Sequence, residues 1–209
     1  MLERRSALAS HPQAKPGTTL GVADGDAPSV SIAERPSLAV LQVSAFADSV
    51  SATGARLVRA LDLALPEPGR YTGDAKRNLR AIGPGVWQLV ASDGGLPAAG
   101  ALRATLEGVG TIVDLSHARA ALRVAGREAE RALAKHCPLD LATAVFAPGS
   151  ATQTRFGHLG LTLARLDDLR GVPVFELLVF RGYAEYVFEA LLEGAAEFGV
   201  RVESPLEQR

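Results

Sequence analysis

Four histidines and one cysteine are the residues of this chain best suited to chemistry near neutral pH. His117 follows Asp114, Leu115 and Ser116 in the run DLSH, which brings the residue types of a hydrolytic triad within four positions. Adjacent residues on a strand or turn do not face one another, and no nucleophile elbow surrounds Ser116, so the triad lacks a workable geometry. His11 lies among prolines and glycines, His136 ends a helical segment, and His158 sits in QTRFGHLGLTL. No two histidines stand at the i,i+2 or i,i+4 spacing of metal ligands. Each reads as a hydrogen-bonded structural residue. Cys137 lies in KHCPLDL, where Lys135 and His136 favour a thiolate. The C-terminal end of a helix dipole opposes that, and a small buried hydrophobe is the better reading.

Glycine-rich stretches add little. GPG at 83–85 and GVG at 108–110 do not form a dinucleotide fingerprint. SDGG at 92–95 ends a strand before a helix, a place where phosphates bind, but a plain loop is the better reading. PGSATQT at 148–154 reads as a solvated loop or as a contact for a ligand or partner. No catalytic, cofactor-binding or metal-ligating residue is therefore expected in the chain. One pattern stands out: Glu185, Glu189, Glu193 and Glu197 recur every four residues on the last helix. Like charges at that spacing repel by a few tenths of a kcal/mol (about 0.2–0.5) per pair. They read either as a solvated face relieved by nearby arginines or as a docking face for a basic partner.

Whatever positions these residues must come from a chain of 209, enough for one large domain or two small ones with a real core. The net charge of −1 gives no global attraction to nucleic acid or anionic membrane. A single cysteine allows no internal disulfide and no cysteine-based zinc site, so a reducing cytoplasm is the expected location. No apolar run is long enough to span a membrane, and MLERRSALAS builds no signal-peptide core.

Residues 1–36 are punctuated by Pro, Gly, Ser and Asp without periodicity, which predicts an arm that is flexible or ordered only on a partner. In the second case Leu2, Leu8, Leu20, Val22, Val30 and Ile32 would fill the partner's pockets. The remainder, 37–209, reads as one α+β domain. Strands at 37–44, 77–82, 86–91 and 111–115 with helices at 47–61 and 96–107 give β-α-β-β-α-β, the split βαβ of ferredoxin-like folds. The order then repeats, with strands at 118–124, 154–166, 174–180 and 199–202 and helices at 127–136 and 183–198. The halves are about 37–116 and 117–204. VWQLVA (86–91) aligns with VFELLV (174–179), and ATLEG (104–108) with ALLEG (190–194). Two such units packed together would cover the sheet faces that one alone exposes.

Several longer segments carry a resemblance. IGPGVWQLVAS (82–92), IVDLSHARAALRVAGREAERALAKHCPLDL (112–141), FAPGSATQTRFGHLGLTLARLDD (146–168) and FELLVFRGYAEYVFEAL (175–191) are similar, in order and spacing, to the gamma-subunit family of heterotetrameric sarcosine oxidases. RRSAL (4–8) resembles the start of the same family. The resemblance implies an α+β fold related to the folate-binding aminomethyltransferases, with an extended N-terminal arm. It implies a small, non-catalytic, structural subunit accompanied by alpha, beta and delta subunits, with no cofactor of its own. FAD, FMN, NAD, zinc and tetrahydrofolate would belong to those partners. The assembly would demethylate sarcosine oxidatively to glycine, pass the one-carbon unit to tetrahydrofolate and form hydrogen peroxide. Gly182 stands where the family pattern has serine, and Phe188 near a tryptophan, so a paralogous complex acting on another N-methyl amino acid is an alternative. A stand-alone folate-binding protein is a further one, with Asp114 or Asp140 as the carboxylate for a pterin ring. Neither nucleic acid nor membrane is an expected partner.

Overall fold

The computed structural model describes residues 5–21, 27–35, 37–92 and 99–204. In chain order its elements are β1 (Thr19–Leu20), β2 (Val30–Arg35), β3 (Leu38–Ala45), α1 (Val50–Leu61), β4 (Tyr71–Gly73), β5 (Arg77–Gly83), β6 (Val86–Ser92), α2 (Ala99–Thr105), β7 (Gly110–Asp114), β8 (Arg119–Ala125), α3 (Ala129–Ala134), β9 (Ala151–Phe156), β10 (Leu159–Leu169), β11 (Val172–Phe180), α4 (Ala184–Ala196) and β12 (Val200–Val202). The strands form two sheets, ordered β4-β5-β6-β3-β7 and β1-β12-β2-β8-β11-β10-β9.

Alternation along each strand dictates the layers. Leu41, Val43, Leu79, Trp87, Leu89 and Ile112 point to one face of the five-stranded sheet, where Leu57 and Leu61 of α1 and Leu102 of α2 pack on them. Ile32, Leu122, Val124, Leu163, Phe175 and Leu177 point to one face of the other sheet, against α3 and α4. The apolar stripe of α4, Ala184, Val187, Phe188, Leu191, Leu192 and Ala195, has the helical repeat that this packing needs. The two remaining sheet faces meet each other. Leu38, Val40 and Val90 touch Ala121 and Leu178, and Tyr71 and Ala75 touch Ala125, Ala164 and Val174. The result is a four-layer helix-sheet-sheet-helix sandwich, an α+β fold of two units, in each of which an edge strand, β4 or β9, is added to the expected β-α-β-β-α-β order.

In the first unit the order β5-β6-β3-β7 is that of a ferredoxin-like sheet. The second unit departs from it. Its last strand, β12, does not reach β8, because β2 lies between them, parallel to β12 and antiparallel to β8. The expected flexible or partner-bound arm over 1–36 is therefore corrected for Val30–Arg35, which are a strand inside the larger sheet. Val30 and Ile32 are fully buried, and Leu8 joins the same core. These apolar residues find pockets in their own chain; Leu2 and Val22 lie outside the described residues. Two residues separate β2 from β3 in the other sheet, and Ser37 makes the crossing with a φ of 62°.

The long strand expected over 154–166 is two strands. Phe156 pairs with Leu159 across Gly157 and His158, and Gly157 takes a φ of 57° at the first central position of the turn. At Gly126, between β8 and α3, a Cβ would stand 2.1 Å from the Ser29 carbonyl oxygen, so glycine is what lets β2 lie against β8.

Candidate functional site

The histidines and cysteine are scattered. His11 is mostly buried, 3.1 Å from Glu189 through Nε2 and edge-on to Phe188. His117 and His158 are exposed, the latter in the β9–β10 turn. His136 lies tilted on Phe156, with ring centroids 4.8 Å apart. Cys137 is buried in the core against α3, its Sγ 3.9 Å from Thr154 Oγ1. In DLSH, the Asp114 carboxylate accepts the Ser116 backbone N–H at 2.9 Å, and the Ser116 hydroxyl accepts the Val40 backbone N–H at 3.0 Å. Those bonds tie the turn to β3, with His117 exposed beside it. Asp140 likewise accepts the Ala142 N–H, so both carboxylates offered for a pterin cap turns. Among the described residues no three His, Cys, Asp or Glu are grouped to hold a metal ion. SDGG lies outside the described residues from Asp93 onward.

The strongest electrostatic feature is one that spacing along the chain does not announce. Between the sheets, Glu176 of β11 is completely buried and receives three guanidinium groups. Arg123 of β8 donates through Nε at 2.9 Å, Arg35 of β2 through Nη1 at 2.7 Å, and Arg80 of β5 through Nη2. Each arginine also takes a partner or support on the first unit. Arg35 bonds Ser92 Oγ at 2.7 Å, Arg123 bonds the Ala75 carbonyl at 2.9 Å, and Arg80 Nε bonds Asn78 Oδ1 at 2.8 Å. The cluster thus joins β2, β8 and β11 of one sheet to β5, β6 and the β4–β5 turn of the other.

Small residues make room for it. Ala164 and Arg123 flank Glu176 in the sheet, and Ala33 lies beyond Arg123. Burial alone would raise the Glu176 pKa, but Arg80, Arg123 and Arg35 outweigh it and hold the carboxyl far below the usual glutamate range. Arg123 is pulled down by burial, which outweighs Glu176. One carboxylate shared by three cations satisfies itself better than it satisfies each of them. Tyr71, near the same layer, is pushed up to about 12, first by burial and then by Asp167. A solvent-free carboxylate held far below the usual glutamate range has neither the access nor the pKa of a proton-transfer group near neutral pH, so the cluster serves as an internal clamp.

Its counterpart in the first unit is Gln88. VWQLVA and VFELLV form β6 and β11, so Gln88 and Glu176 hold equivalent places. Their neighbours correspond too: Gln42 faces Gln88, and Arg123 faces Glu176. Gln88 and Arg80 are opposite each other across β5 and β6, and Gln88 Oε1 and Arg80 Nη1 are both buried without a hydrogen-bond partner among the described residues.

Two surfaces remain. Glu185, Glu189 and Glu193 on α4 and Glu197 at its C-terminal cap are all exposed, as the helical repeat requires. Glu189 faces His11, and Glu197 pairs with Lys135 at 2.5 Å. The Lys135 hydrogen bond holds Glu197 below its ordinary range. At Glu197 the Arg131 guanidinium adds to the relief that Lys135 gives. The other surface is a cleft of about 430 Å³ on the inner face of the larger sheet, lined by Arg119, Arg155, Gln153, Thr162, Gly160 and Phe180 among others. No described helix is long and apolar enough to cross a membrane.

No protein-family model and no curated protein matches the chain. Solved structures do. A chain of the heterotetrameric sarcosine oxidase from Corynebacterium sp. U-96, solved in complex with pyrrole 2-carboxylate, superposes with a TM-score of 0.76 at 26% identity, covering 93% of this chain and 96% of that one. Aminomethyltransferase T of the glycine cleavage system from Bartonella henselae gives 0.61 at 18% identity, covering 84% of this chain and 48% of that one. The chain therefore spans about half the length of the transferase, with which it shares the fold. Along nearly its whole length, it is similar to a chain of a multi-subunit sarcosine oxidase.

Proposed function

We propose that this chain is the gamma subunit of a heterotetrameric, flavin-dependent sarcosine oxidase, or of a paralogous complex acting on another N-methyl amino acid. Its role is structural, and chemistry belongs to the partner chains. The observation that carries this reading is the end-to-end match, with over nine-tenths of each chain covered.

The distribution of polar groups supports it. The inner layer, where a two-unit sandwich could hold a ligand, is occupied by Arg35, Arg80, Arg123 and Glu176 bonded to one another. The titratable residues picked out by the sequence cap turns, pack in cores or lie apart on the surface. Under this reading the alpha, beta and delta subunits supply FAD, FMN, NAD, zinc and the tetrahydrofolate site. The acidic face of α4 is then a contact for a basic partner surface, with Glu185 and Glu193 leading because Glu189 already meets the His11 ring and Glu197 the Lys135 ammonium.

Affinity capture of the tagged full chain from its native host is the test. Recovery of flavin-bearing large chains with a small zinc protein is the expected result. A lone chain that binds tetrahydrofolate by itself would reverse the reading.

A further inference from the structure

The larger sheet ends on one side at β9, and part of that edge is closed by the chain itself. The Ala151 N–H points away from β10 and bonds the Gly69 carbonyl at 2.9 Å, and the Tyr71 N–H bonds the Gly149 carbonyl at 2.8 Å, so Arg70 stands antiparallel to Ser150. The Arg70 side chain seals that end through Ser150 Oγ at 2.9 Å and the Pro148 carbonyl at 3.0 Å. Backbone groups along an antiparallel strand face one neighbour and then the other in turn. With Ala151 facing outward, Thr152, Thr154 and Phe156 face β10, and Gln153 and Arg155 face outward. The Phe156–Leu159 pair agrees, since the pair that closes a two-residue turn exchanges both of its bonds.

The N–H and C=O groups of Gln153 and Arg155 form an edge that the chain leaves open. Among the described residues they meet only the Thr152 hydroxyl, 3.4 Å from the Gln153 carbonyl. The other edge strands offer less. β1 has two residues and β4 three, and on β7 the Gly110 N–H is already bonded to the Leu106 carbonyl at 3.1 Å. Donors and acceptors in this alternation match an extended backbone, whose own groups repeat at the same spacing.

The side chains narrow the choice of strand. Gln153 and Arg155 are exposed on one face, and no carboxylate lines the cleft beside them. A Cβ at Gly160, which pairs with Arg155, would meet nothing within 4 Å, so the chain leaves the arginine room on that side. A second copy of β9 fits poorly. With Ala151 taken, its antiparallel registers set Arg155 opposite or diagonal to its own image, where like charges repel. A strand with a carboxylate at that place gains an ion pair instead.

We propose that the open edge of β9 is completed by a β-strand of a partner subunit, which exchanges backbone hydrogen bonds with Gln153 and Arg155 and sets a carboxylate beside Arg155. The proposal rests on reading this chain as a subunit, and it makes the larger sheet continuous across the interface.

The test is amide hydrogen exchange over residues 151–156 of the wild-type chain, alone and in the complex captured from its native host. Alone, the Gln153 and Arg155 amides exchange fast, and those of Thr152 and Thr154, bonded to β10, exchange slowly. In the complex the Gln153 and Arg155 amides slow at least about a hundredfold. Gln153→Pro removes an outward donor and spares the β10 ladder, so it lowers recovery of flavin-bearing partners at least about tenfold while its thermal melt matches the wild type. Arg155→Glu lowers recovery at low salt, and Arg155→Gln does so less. Gln153 and Arg155 amides that stay fast in the complex, or equal recovery with Gln153→Pro and the wild type, sink the strand and leave the subunit reading standing. Slow exchange of both amides in a dimer of the isolated chain puts a second copy on the edge and overturns the proposal. Absence of flavin-bearing partners sinks the subunit reading and, with it, the partner strand.

Discussion

At the scale of single residues, Glu176 decides more than any histidine. A carboxylate at the centre of an apolar strand is tolerated only because three guanidiniums reach it, and removing it leaves buried cations without their anion. Glu176→Gln is therefore expected to cost about 3–5 kcal/mol of stability, read as a lower urea midpoint. The pH dependence has a definite sign. The folded-state pKa of Glu176 lies below its unfolded value, so its contribution is complete above the ordinary glutamate range, about pH 4.3, and is lost progressively as pH falls below it. Glu176→Gln should flatten the acid limb of stability against pH. An unchanged acid limb would remove the clamp from this account. Sequence alone hid the clamp because Arg35, Arg80 and Arg123 stand 141, 96 and 53 positions from Glu176. The alternation in RAALRVA puts Arg119 and Arg123 on the face opposite Ala120, Leu122 and Val124. It could not reveal that this second face is also covered, by another sheet.

At the scale of elements, turn chemistry and strand insertion carry the predictions. The β10–β11 hairpin closes through Arg170 and Gly171, both with positive φ. Arginine is strained there, whereas Asn-Gly is the favoured pair for such a turn, so Arg170→Asn should stabilise by about 0.5–1 kcal/mol in urea melts. Deletion of residues 1–36 removes β2 and opens the sheet between β8 and β12. That truncated chain should fail to give a cooperative melt, whereas a free arm would be dispensable. Most strands and all four helices were legible, because their periodicities of two and 3.6 are uninterrupted. β2 was not, since VSIAER is short and sits between Pro28 and Pro36 in a stretch dominated by breakers. The β9–β10 turn was missed for the opposite reason. Only Gly157 marks it, and the apolar alternation of Leu159, Leu161 and Leu163 reads as one strand.

At the scale of the whole molecule, the four-layer sandwich buries its own charge and presents charge at two surfaces. On α4, Glu185→Lys with Glu193→Lys should weaken assembly severalfold at low salt, with the difference shrinking as salt screens it. Both residues are exposed, so folding should be unaffected, and unchanged assembly at low salt would count against an acidic docking face. The candidate surfaces were half legible: the glutamate repeat is visible in one helix, whereas the cleft needs the register of four strands. The central claim concerns the company the chain keeps, and capture of the tagged full chain from its native host tests it most directly. The predicted result is a stable complex containing flavin-bearing large chains and a small zinc protein, active on an N-methyl amino acid. A solitary chain that binds tetrahydrofolate or turns over substrate on its own would contradict it.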